Sequence, residues 1–340
     1  MTLGILLSLA ALAAGMKIHF AGQSASWQQL TSDRAEDVRP RISPDGRQIA
    51  FVSDRQGHPN IWVMGADGSG PRNLTVDRGE NDGPVWSPDG RRIAFESTRG
   101  SGSGYIFIMN ADGSGQQVVS PKPGTRPAWA PDGRSLIYNS RRDRKSVILK
   151  LDLETKAETV LTVSDTGCLD ASWSPDGQWI VHTRGTPHGL QLFAMDGQGG
   201  RLRQLTQLYG RNARVAAWSP DGSRIAFNSE GDRENGIFVM RSDGTEVTRL
   251  TRDFGDATEP VWSHDGTRIY FNSQRSGNND IYSIAVPRGT GERLTEDVGE
   301  DNTPAFCPVG NEVAFSSNRS GKFQYFSAGS IHRPGGEPDT

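Results

Sequence analysis

Pairs of carboxylates recur along the chain in stretches that are otherwise polar and rich in glycine. The pairs are Glu36 with Asp37, Glu80 with Asp82, Asp256 with Glu259, and Glu300 with Asp301. A second set offers positive charge and one aromatic ring, namely Arg126, Tyr209, Arg211 and Arg214. Carboxylates held close together would attract a cation or a basic peptide and raise its association rate. The chemistry therefore depends on which elements bring these residues together.

Residues that could carry out catalysis are sparse. The six histidines are His19, His58, His182, His188, His264 and His332. No HExxH or GxSxG motif occurs, and these are the patterns that would place a metal or a serine nucleophile. The sequence therefore favours binding without catalysis. A metal-assisted hydrolase or lyase at the carboxylates, helped by His188 or Arg211, is the alternative.

We expect no cofactor. Calcium is the cation to weigh against that expectation, because it takes several oxygen ligands at once. No loop carries a dense DxDxD pattern.

A repeated turn motif sets the positions of all these residues. It reads AWSPDGSRIAFNSE at residues 217–230, and its turn glycine recurs at 46, 90, 133, 177, 222, 266 and 310. The spacings are 44, 43, 44, 45, 44 and 44 residues, a period found in propellers and solenoids. Pro, Asp and Gly in this order form a tight turn, and alternating apolar residues on both sides indicate two strands of a hairpin.

Each unit has room for four short strands and no helix. Four strands of about six residues use roughly 24 positions, which leaves hairpin-length loops. This predicts an all-β, seven-bladed β-propeller of four-stranded antiparallel blades. A Leu-Thr pair ends the fourth strand of most units, and one such pair, Leu30-Thr31, stands before the first hairpin. The strand around Trp27 to Thr31 should therefore complete the last blade beside Gln324 to Phe326. Six blades with a stray half-blade is the alternative.

A tryptophan recurs in the first strand of five units, at Trp86, Trp129, Trp173, Trp218 and Trp262. We interpret it as a packing residue between blades rather than a stripe for stacking sugars or bases. An arginine recurs after the second strand, at Arg55, Arg99, Arg142, Arg184, Arg275 and Arg319. It should fasten the loops of one face, and pairing with the carboxylates above is the structural alternative to their binding a partner.

Composition and the chain ends complete the prediction. The 340 residues carry a formal charge of −3 with arginine scattered through the repeats, so we expect no nucleic-acid partner. Residues 1–22, apolar from Ile5 to Met16, resemble an export signal or short membrane anchor. Residues 23–326 form the propeller and 327–340 a polar tail. Cys168 and Cys307 fall at opposite ends of their strands, too far apart for a disulfide.

The loops that enter the first strands should ring one mouth of the central channel. Units one, two, six and seven are neighbours once the ring closes, and their loops carry the carboxylate pairs. Units three and five carry Arg126, Tyr209, Arg211 and Arg214. This predicts a mouth that is acidic along one arc and basic along another, with all twelve residues as candidate partner-binding residues.

The repeats resemble those of the TolB-type (WD40-like) propeller family. The pattern PxWSPDGxxIAFxSxRxGxxxIxxM is most complete from Pro84 to Met109 and from Pro260 to Ile284. The resemblance covers the propeller only, without the N-terminal domain of TolB. It implies a platform in the bacterial envelope that binds protein segments. We expect a noncatalytic scaffold, periplasmic or extracellular, that binds a protein or peptide, is a monomer and meets the membrane only through its N-terminal segment. The sensory propeller of a membrane signalling protein is a further alternative.

Overall fold

The computed structural model describes residues 27–32, 35–76, 79–100, 102–231, 235–252, 255–296, 298–309, 313–321 and 323–328. Every regular element in these ranges is a β-strand. None of the described residues belongs to a helix that could cross a membrane. The predicted export signal at 1–22 and residues 329–340 of the predicted tail lie outside the described residues.

The first three blades follow each other along the chain, each with strands in the order inner to outer. Blade 1 is β2 (Asp37–Ile42), β3 (Gln48–Ser53), β4 (Asn60–Gly65) and β5 (Arg72–Asn73). Blade 2 is β6 (Asn81–Trp86), β7 (Arg92–Ser97), β8 (Tyr105–Asn110) and β9 (Gln117–Val118). Blade 3 is β10 (Gly124–Trp129), β11 (Ser135–Arg142), β12 (Lys145–Asp152) and β13 (Glu158–Ser164).

The remaining blades have the same order, and the last takes its outer strand from the start of the chain. Blade 4 is β14 (Cys168–Trp173), β15 (Trp179–Thr186), β16 (Gly189–Asp196) and β17 (Arg203–Gln204). Blade 5 is β18 (Asn212–Trp218), β19 (Arg224–Glu230), β20 (Gly236–Arg241) and β21 (Thr248–Arg249). Blade 6 is β22 (Ala257–Trp262), β23 (Arg268–Ser273), β24 (Asp280–Ala285) and β25 (Glu292–Arg293). Blade 7 is β26 (Asp301–Phe306), β27 (Val313–Ser317), β28 (Gln324–Ala328) and β1 (Trp27–Gln29).

The seven sheets close into a ring. Each blade packs on its two neighbours, and β2 of blade 1 contacts the strands β26, β27 and β28 of blade 7. Strand β1 pairs antiparallel with β28, so that Trp27 lies opposite Ala328 and Gln29 opposite Phe326. The ring of Trp27 packs edge-on against Phe315, with centroids 4.7 Å apart. The predicted all-β propeller of four-stranded antiparallel blades is confirmed, and the N-terminal strand completes the seventh sheet.

The repeated SPDG sequence forms the turn between the first two strands of a blade. In blade 5 the Ser219 hydroxyl donates to Asp221 Oδ1 at 2.6 Å, and the backbone N–H of Ser223 donates to the same oxygen at 3.0 Å. Gly222 takes a φ of +69°, which a residue without Cβ adopts at little cost. The motif therefore recurs because each blade needs the same turn.

The recurring tryptophans join neighbouring blades. Four indole N–H groups donate to a backbone oxygen of the preceding blade, Trp86 to Arg41 (2.9 Å), Trp129 to Val85 (3.1 Å), Trp218 to Ser172 (3.3 Å) and Trp262 to Ala217 (3.0 Å). Such a buried donor needs a partner, and here the partner lies on the preceding blade. The fifth indole N–H, of Trp173, has no partner among the described residues. The interpretation as inter-blade packing residues agrees with these contacts.

The two cysteines lie apart in the ring. Cys168 begins β14 and Cys307 follows the end of β26, and both are free and buried. The Cys307 thiol donates to the backbone oxygen of Val309 at 2.9 Å. Burial raises the pKa of the Cys168 thiol to about 11. Both thiols therefore serve the core.

Candidate functional site

The seven first strands surround the central axis, because each contacts the first strands of both neighbouring blades. Each also carries a register shift against its partner strand at the same place. The residue at that bulge has a φ between 51° and 62° in every blade, in the order Arg39, Gly83, Arg126, Asp170, Val215, Glu259 and Thr303. A bulge bends the strand and re-aims a side chain. The lining of the channel therefore changes identity from blade to blade on one repeated backbone.

Charged side chains beside the bulges link blades 1 to 4. Arg39 pairs with Asp82 at 2.8 Å between Nη1 and Oδ2. Arg126 forms an ion pair with Asp170 of the next blade. The backbone N–H of Arg126 donates to Glu96 Oε1 at 2.7 Å. The channel ring consists of Arg39, Asp82, Glu96, Arg126, Asp170 and Glu259.

Two carboxylates of the channel ring are largely buried. Burial raises the pKa of Glu259. The N–H of Thr303, which donates to Glu259 Oε2 at 3.1 Å, opposes this rise, and so do the positive charges of Arg41 and Arg39. Burial also raises the pKa of Glu96; the Arg126 N–H opposes this shift, whereas the negative charge of Asp82 adds to it. Glu259 belongs to blade 6 and Arg39 to blade 1, so their charges interact although blade 7 lies between these two blades in the ring.

Four oxygen atoms next to the bulges have no hydrogen-bond partner in the described part of the chain. They are Asn139 Oδ1, Thr183 Oγ1, Asn228 Oδ1 and Asn272 Oδ1, each opposite the residue just before a bulge. Their side chains are buried. Asp170 Oδ2 is buried and without a partner as well. Such acceptors are costly unless a donor meets them.

Two of the twelve predicted site residues are part of the fold's interior. Asp37 and Asp301 begin their inner strands and are fully buried. Arg55 donates to Asp37 at 3.0 Å and Arg319 to Asp301 at 2.9 Å. Both guanidinium groups also stack on an aromatic ring, Arg55 on Trp62 at 4.4 Å and Arg319 on Phe326 at 4.2 Å. Burial raises the pKa of Asp37, opposed by the Ser53 hydroxyl and by Arg55.

The structural alternative for the repeated arginine therefore holds at these two carboxylates. The pattern does not extend to Arg184, which lies directly opposite Cys168 and so occupies a different register from Arg55 and Arg319.

The other carboxylates lie in loops on one face of the disc. The N–H groups that open the inner strands of blades 1, 2, 6 and 7 all donate to the second hairpin loop of the preceding blade. Glu36, Glu80 and Asp256 are exposed, and Glu300 is half-buried. Asp256 and Glu300 each accept a backbone N–H at 2.9 Å, from Asn235 and Asn279. Glu36 and Glu80 make no ion pair within the described ranges, and Asp82 and Glu259 belong to the channel ring.

The basic residues lie on the opposite arc of the same face. Arg126 belongs to the channel ring, and Arg214 lies 3.6 Å from Glu230 within blade 5. Tyr209 is 65% exposed and meets the His188 ring edge-on at 5.0 Å. Arg211 keeps one buried guanidinium nitrogen without a partner.

Sequence reasoning missed several residues at this face. Glu96, Arg39 and Asp170 depend on the bulges, which leave no local sequence signal. Two hairpins, β11–β12 and β15–β16, have eight-residue strands where most blades have six. The first ends in a basic tip, RRDRK at 141–145, and that run of charges was a signal visible in the sequence.

No group of three or more His, Cys, Asp or Glu residues within the described ranges could hold a metal ion. The arrangement therefore offers charge pairs and hydrogen-bond acceptors in and around the channel, and no ready-made cation site.

Comparisons with known proteins match this architecture. The Tricorn protease N-terminal beta propeller domain matches residues 18–146, and the TolB beta propeller domain matches residues 210–295. The Tol-Pal system protein TolB of Bordetella pertussis is 42% identical over 48 residues, which is 14% of this chain and 11% of that protein. The match thus spans a small part of this relative's length.

Solved structures extend the likeness to the whole ring. An oligogalacturonate lyase in complex with manganese has a TM-score of 0.77 at 18% identity, covering 91% of this chain and 94% of that one. TolB from Acinetobacter baumannii has a TM-score of 0.52 at 19% identity, covering 85% of this chain and 78% of that one. At such identities the likeness concerns the fold. Together with the family matches, it shows that this chain is a β-propeller whose repeats are similar to those of TolB.

Proposed function

We propose that this protein is a noncatalytic scaffold of the cell envelope that binds a segment of a protein partner at its channel mouth. The observation that carries the proposal is the set of carboxylates on one face, in the loops of four neighbouring blades. Glu36 and Glu80 are exposed there without a countercharge in the described residues. Unpaired surface carboxylates around a concave opening attract a basic segment and speed its encounter.

The channel behind the mouth suits a polypeptide guest. The channel ring supplies both signs of charge at fixed positions, which would select the register of the guest. Similarity to TolB supports an envelope location, periplasmic or extracellular, as part of the same proposal.

The test compares two charge-reversed variants in envelope extract. Glu36→Lys with Glu80→Lys changes the mouth, and Glu154→Lys with Glu246→Lys makes the same change of charge in turns of the other face. Proteins captured by cross-linking would be identified by mass spectrometry, and affinity for each would be measured with purified components. We expect the mouth variant to lose a basic partner at least tenfold, with the control unchanged. Equal capture by both variants would contradict the proposal.

A second candidate is a lyase acting on acidic oligosaccharides. It is favoured by the likeness to oligogalacturonate lyase over 94% of that chain. Arg39, Arg41 and Arg126 lie in or beside the channel ring and could bind uronate carboxylates. The described residues do not assemble a manganese site. Formation of unsaturated uronate products from oligogalacturonate, followed by ultraviolet absorbance with and without added manganese, would decide for this candidate.

A further inference from the structure

A groove of about 450 Å³ lies beside the long hairpin of blade 4, away from the channel ring. It runs between the hairpin tip and the segment that follows β17. The blade 4 groove is defined here by Arg184, His188, Phe193, Leu202, Leu208 and Tyr209. Its volume falls within the range of small-ligand pockets, about 300 to 1,000 Å³.

The groove carries positive charge without a countercharge. Arg184 donates only to neutral oxygens in the described structure, to Thr162 Oγ1 at 3.4 Å and to the Val163 backbone at 3.2 Å. The repeated arginines Arg55 and Arg319, which lie at a different register, each meet a carboxylate instead. No Asp or Glu lines the groove. A guanidinium in such surroundings favours an anion, above all a carboxylate, which it can bind through two hydrogen bonds.

The walls of the groove are mainly apolar, and the three glutamine amides among them already donate within the protein. Gln191 Nε2 donates to the backbone of Leu208 and Arg211 at 3.2 and 2.9 Å. Gln204 Nε2 donates to Thr206 at 2.6 Å, and Gln207 Nε2 to the Tyr209 hydroxyl at 2.6 Å. One N–H of Gln204 and one of Gln207 remain in the described structure, fewer donors than the several hydroxyl groups of a sugar would take up. Phe193, Leu202 and Leu208 instead suit an apolar side chain.

We propose that the blade 4 groove binds the C-terminal residue of a peptide, with its carboxylate on Arg184 and an apolar side chain against Phe193, Leu202 and Leu208. The His188 and Tyr209 rings, 5.0 Å apart, form the exposed rim over the bound residue. This site is separate from the carboxylates of the channel mouth and takes the opposite charge. Its test is therefore independent of the proposed function.

The experiment measures binding of N-acetylated Ala-Ala-Leu to the full chain by calorimetry, against the same peptide with a C-terminal amide. We expect the free acid to bind at least about tenfold more tightly than the amide. Arg184→Gln should remove that preference. Arg141→Gln, an exposed arginine on the neighbouring hairpin, should leave it intact. N-acetylleucine alone, binding as well as the peptide, would assign the site to a free amino-acid derivative and overturn the peptide assignment.

Two further variants keep the test independent of folding. Leu202 is 43% exposed, so Leu202→Glu and Leu202→Lys should both fold, which circular dichroism would check. The glutamate should repel the carboxylate and weaken binding at least tenfold, whereas the lysine should preserve or strengthen it. Equal affinity for acid and amide in the unmodified protein would overturn the proposal. So would binding of digalacturonate in place of the peptide.

Discussion

One position in the second strand of every blade holds a residue with a ring: five blades have phenylalanine, blade 3 has tyrosine and blade 4 has histidine. The residues are Phe51, Phe95, Tyr138, His182, Phe227, Phe271 and Phe315. His182 is fully buried, its ring centroid lies 6.1 Å from that of Phe193, and neither ring nitrogen has a partner among the described residues. Burial, with the charge of Arg184 added, lowers the pKa of His182 to about 4. The imidazole is therefore neutral in the folded protein at pH 7.

His182→Phe should stabilise the protein and flatten its response to acid. The folded-state pKa lies below the ordinary value of 6.5, so the unfolded chain takes up the proton first as pH falls. As the pH falls from about 6.5 to about 4, the free energy of unfolding therefore decreases by about 3 kcal/mol. Urea unfolding at pH 7, 5 and 4 would measure it. The reverse change in blade 5, Phe227→His, is the matched control and should introduce the same loss; equal pH slopes for His182→Phe and the parent would contradict this account.

Glu36 and Asp37 are adjacent, yet they have opposite environments. Asp37 is the first residue of β2 and is buried against Arg55, whereas Glu36 stands before the strand in solvent. The sequence predicted the pair but not the register that separates its members. One signal was available: an arginine follows 18 residues after both Asp37 and Asp301. That spacing marks the carboxylate that the blade itself uses.

Turns and strands were the most predictable elements, because the motif that forms the SPDG turn is local. Asp and Ser side chains satisfy the backbone within four or five residues, as Ser219 and Asp221 show. The bulges were not predictable, because each depends on how an inner strand meets its neighbours around the axis. Arg39, Asp170 and Glu259 look like ordinary strand residues in the sequence. In the channel ring, Arg39, Glu96 and Asp170 therefore emerged only from the structure, whereas Asp82, Arg126 and Glu259 were already candidates in the sequence.

Two turn glycines with similar backbone angles should differ in their tolerance of a side chain. A Cβ on Gly222 would lie 3.6 Å from Pro175 Cδ, an ordinary contact, whereas a Cβ on Gly46 would lie 2.2 Å from Val309 Cγ2. Gly222→Ala should cost about 1 kcal/mol because of its positive φ. Gly46→Ala should cost about 1 to 3 kcal/mol more through overlap. Denaturant midpoints of the two variants would show the difference, and equal losses would refute it.

At the scale of the whole molecule, ring closure depends on three residues of β1 and their neighbours. Leu30, just after β1, is buried in the core formed between blades 7 and 1. Without β1, strand β28 would become the outer edge of its sheet with unpaired backbone groups. Such an edge is a template for association with other chains. Closure was predictable, because seven fourth strands match seven hairpins in the sequence, yet the first fourth strand precedes every hairpin and none follows the last hairpin.

Removal of β1 should open the ring. A chain starting at residue 33 should melt at lower temperature and associate with rising concentration, whereas a chain starting at residue 23 keeps β1 and should remain monomeric. Thermal unfolding and analytical ultracentrifugation at several concentrations would measure both properties. Identical behaviour of the two chains would mean that the pairing of Trp27 with Ala328 contributes nothing to stability.

The left-handed residue in each inner strand has an evolutionary consequence. Because the backbone bends the same way whether the residue is arginine, glycine, aspartate, valine, glutamate or threonine, each blade can exchange this one side chain without disturbing the hairpin that carries it. Seven such positions surround one axis, and the Arg126–Asp170 ion pair shows that neighbouring side chains at these positions interact. A lineage of these propellers could therefore acquire new guests by exchanging these residues singly or in neighbouring pairs, while its outer architecture stays constant.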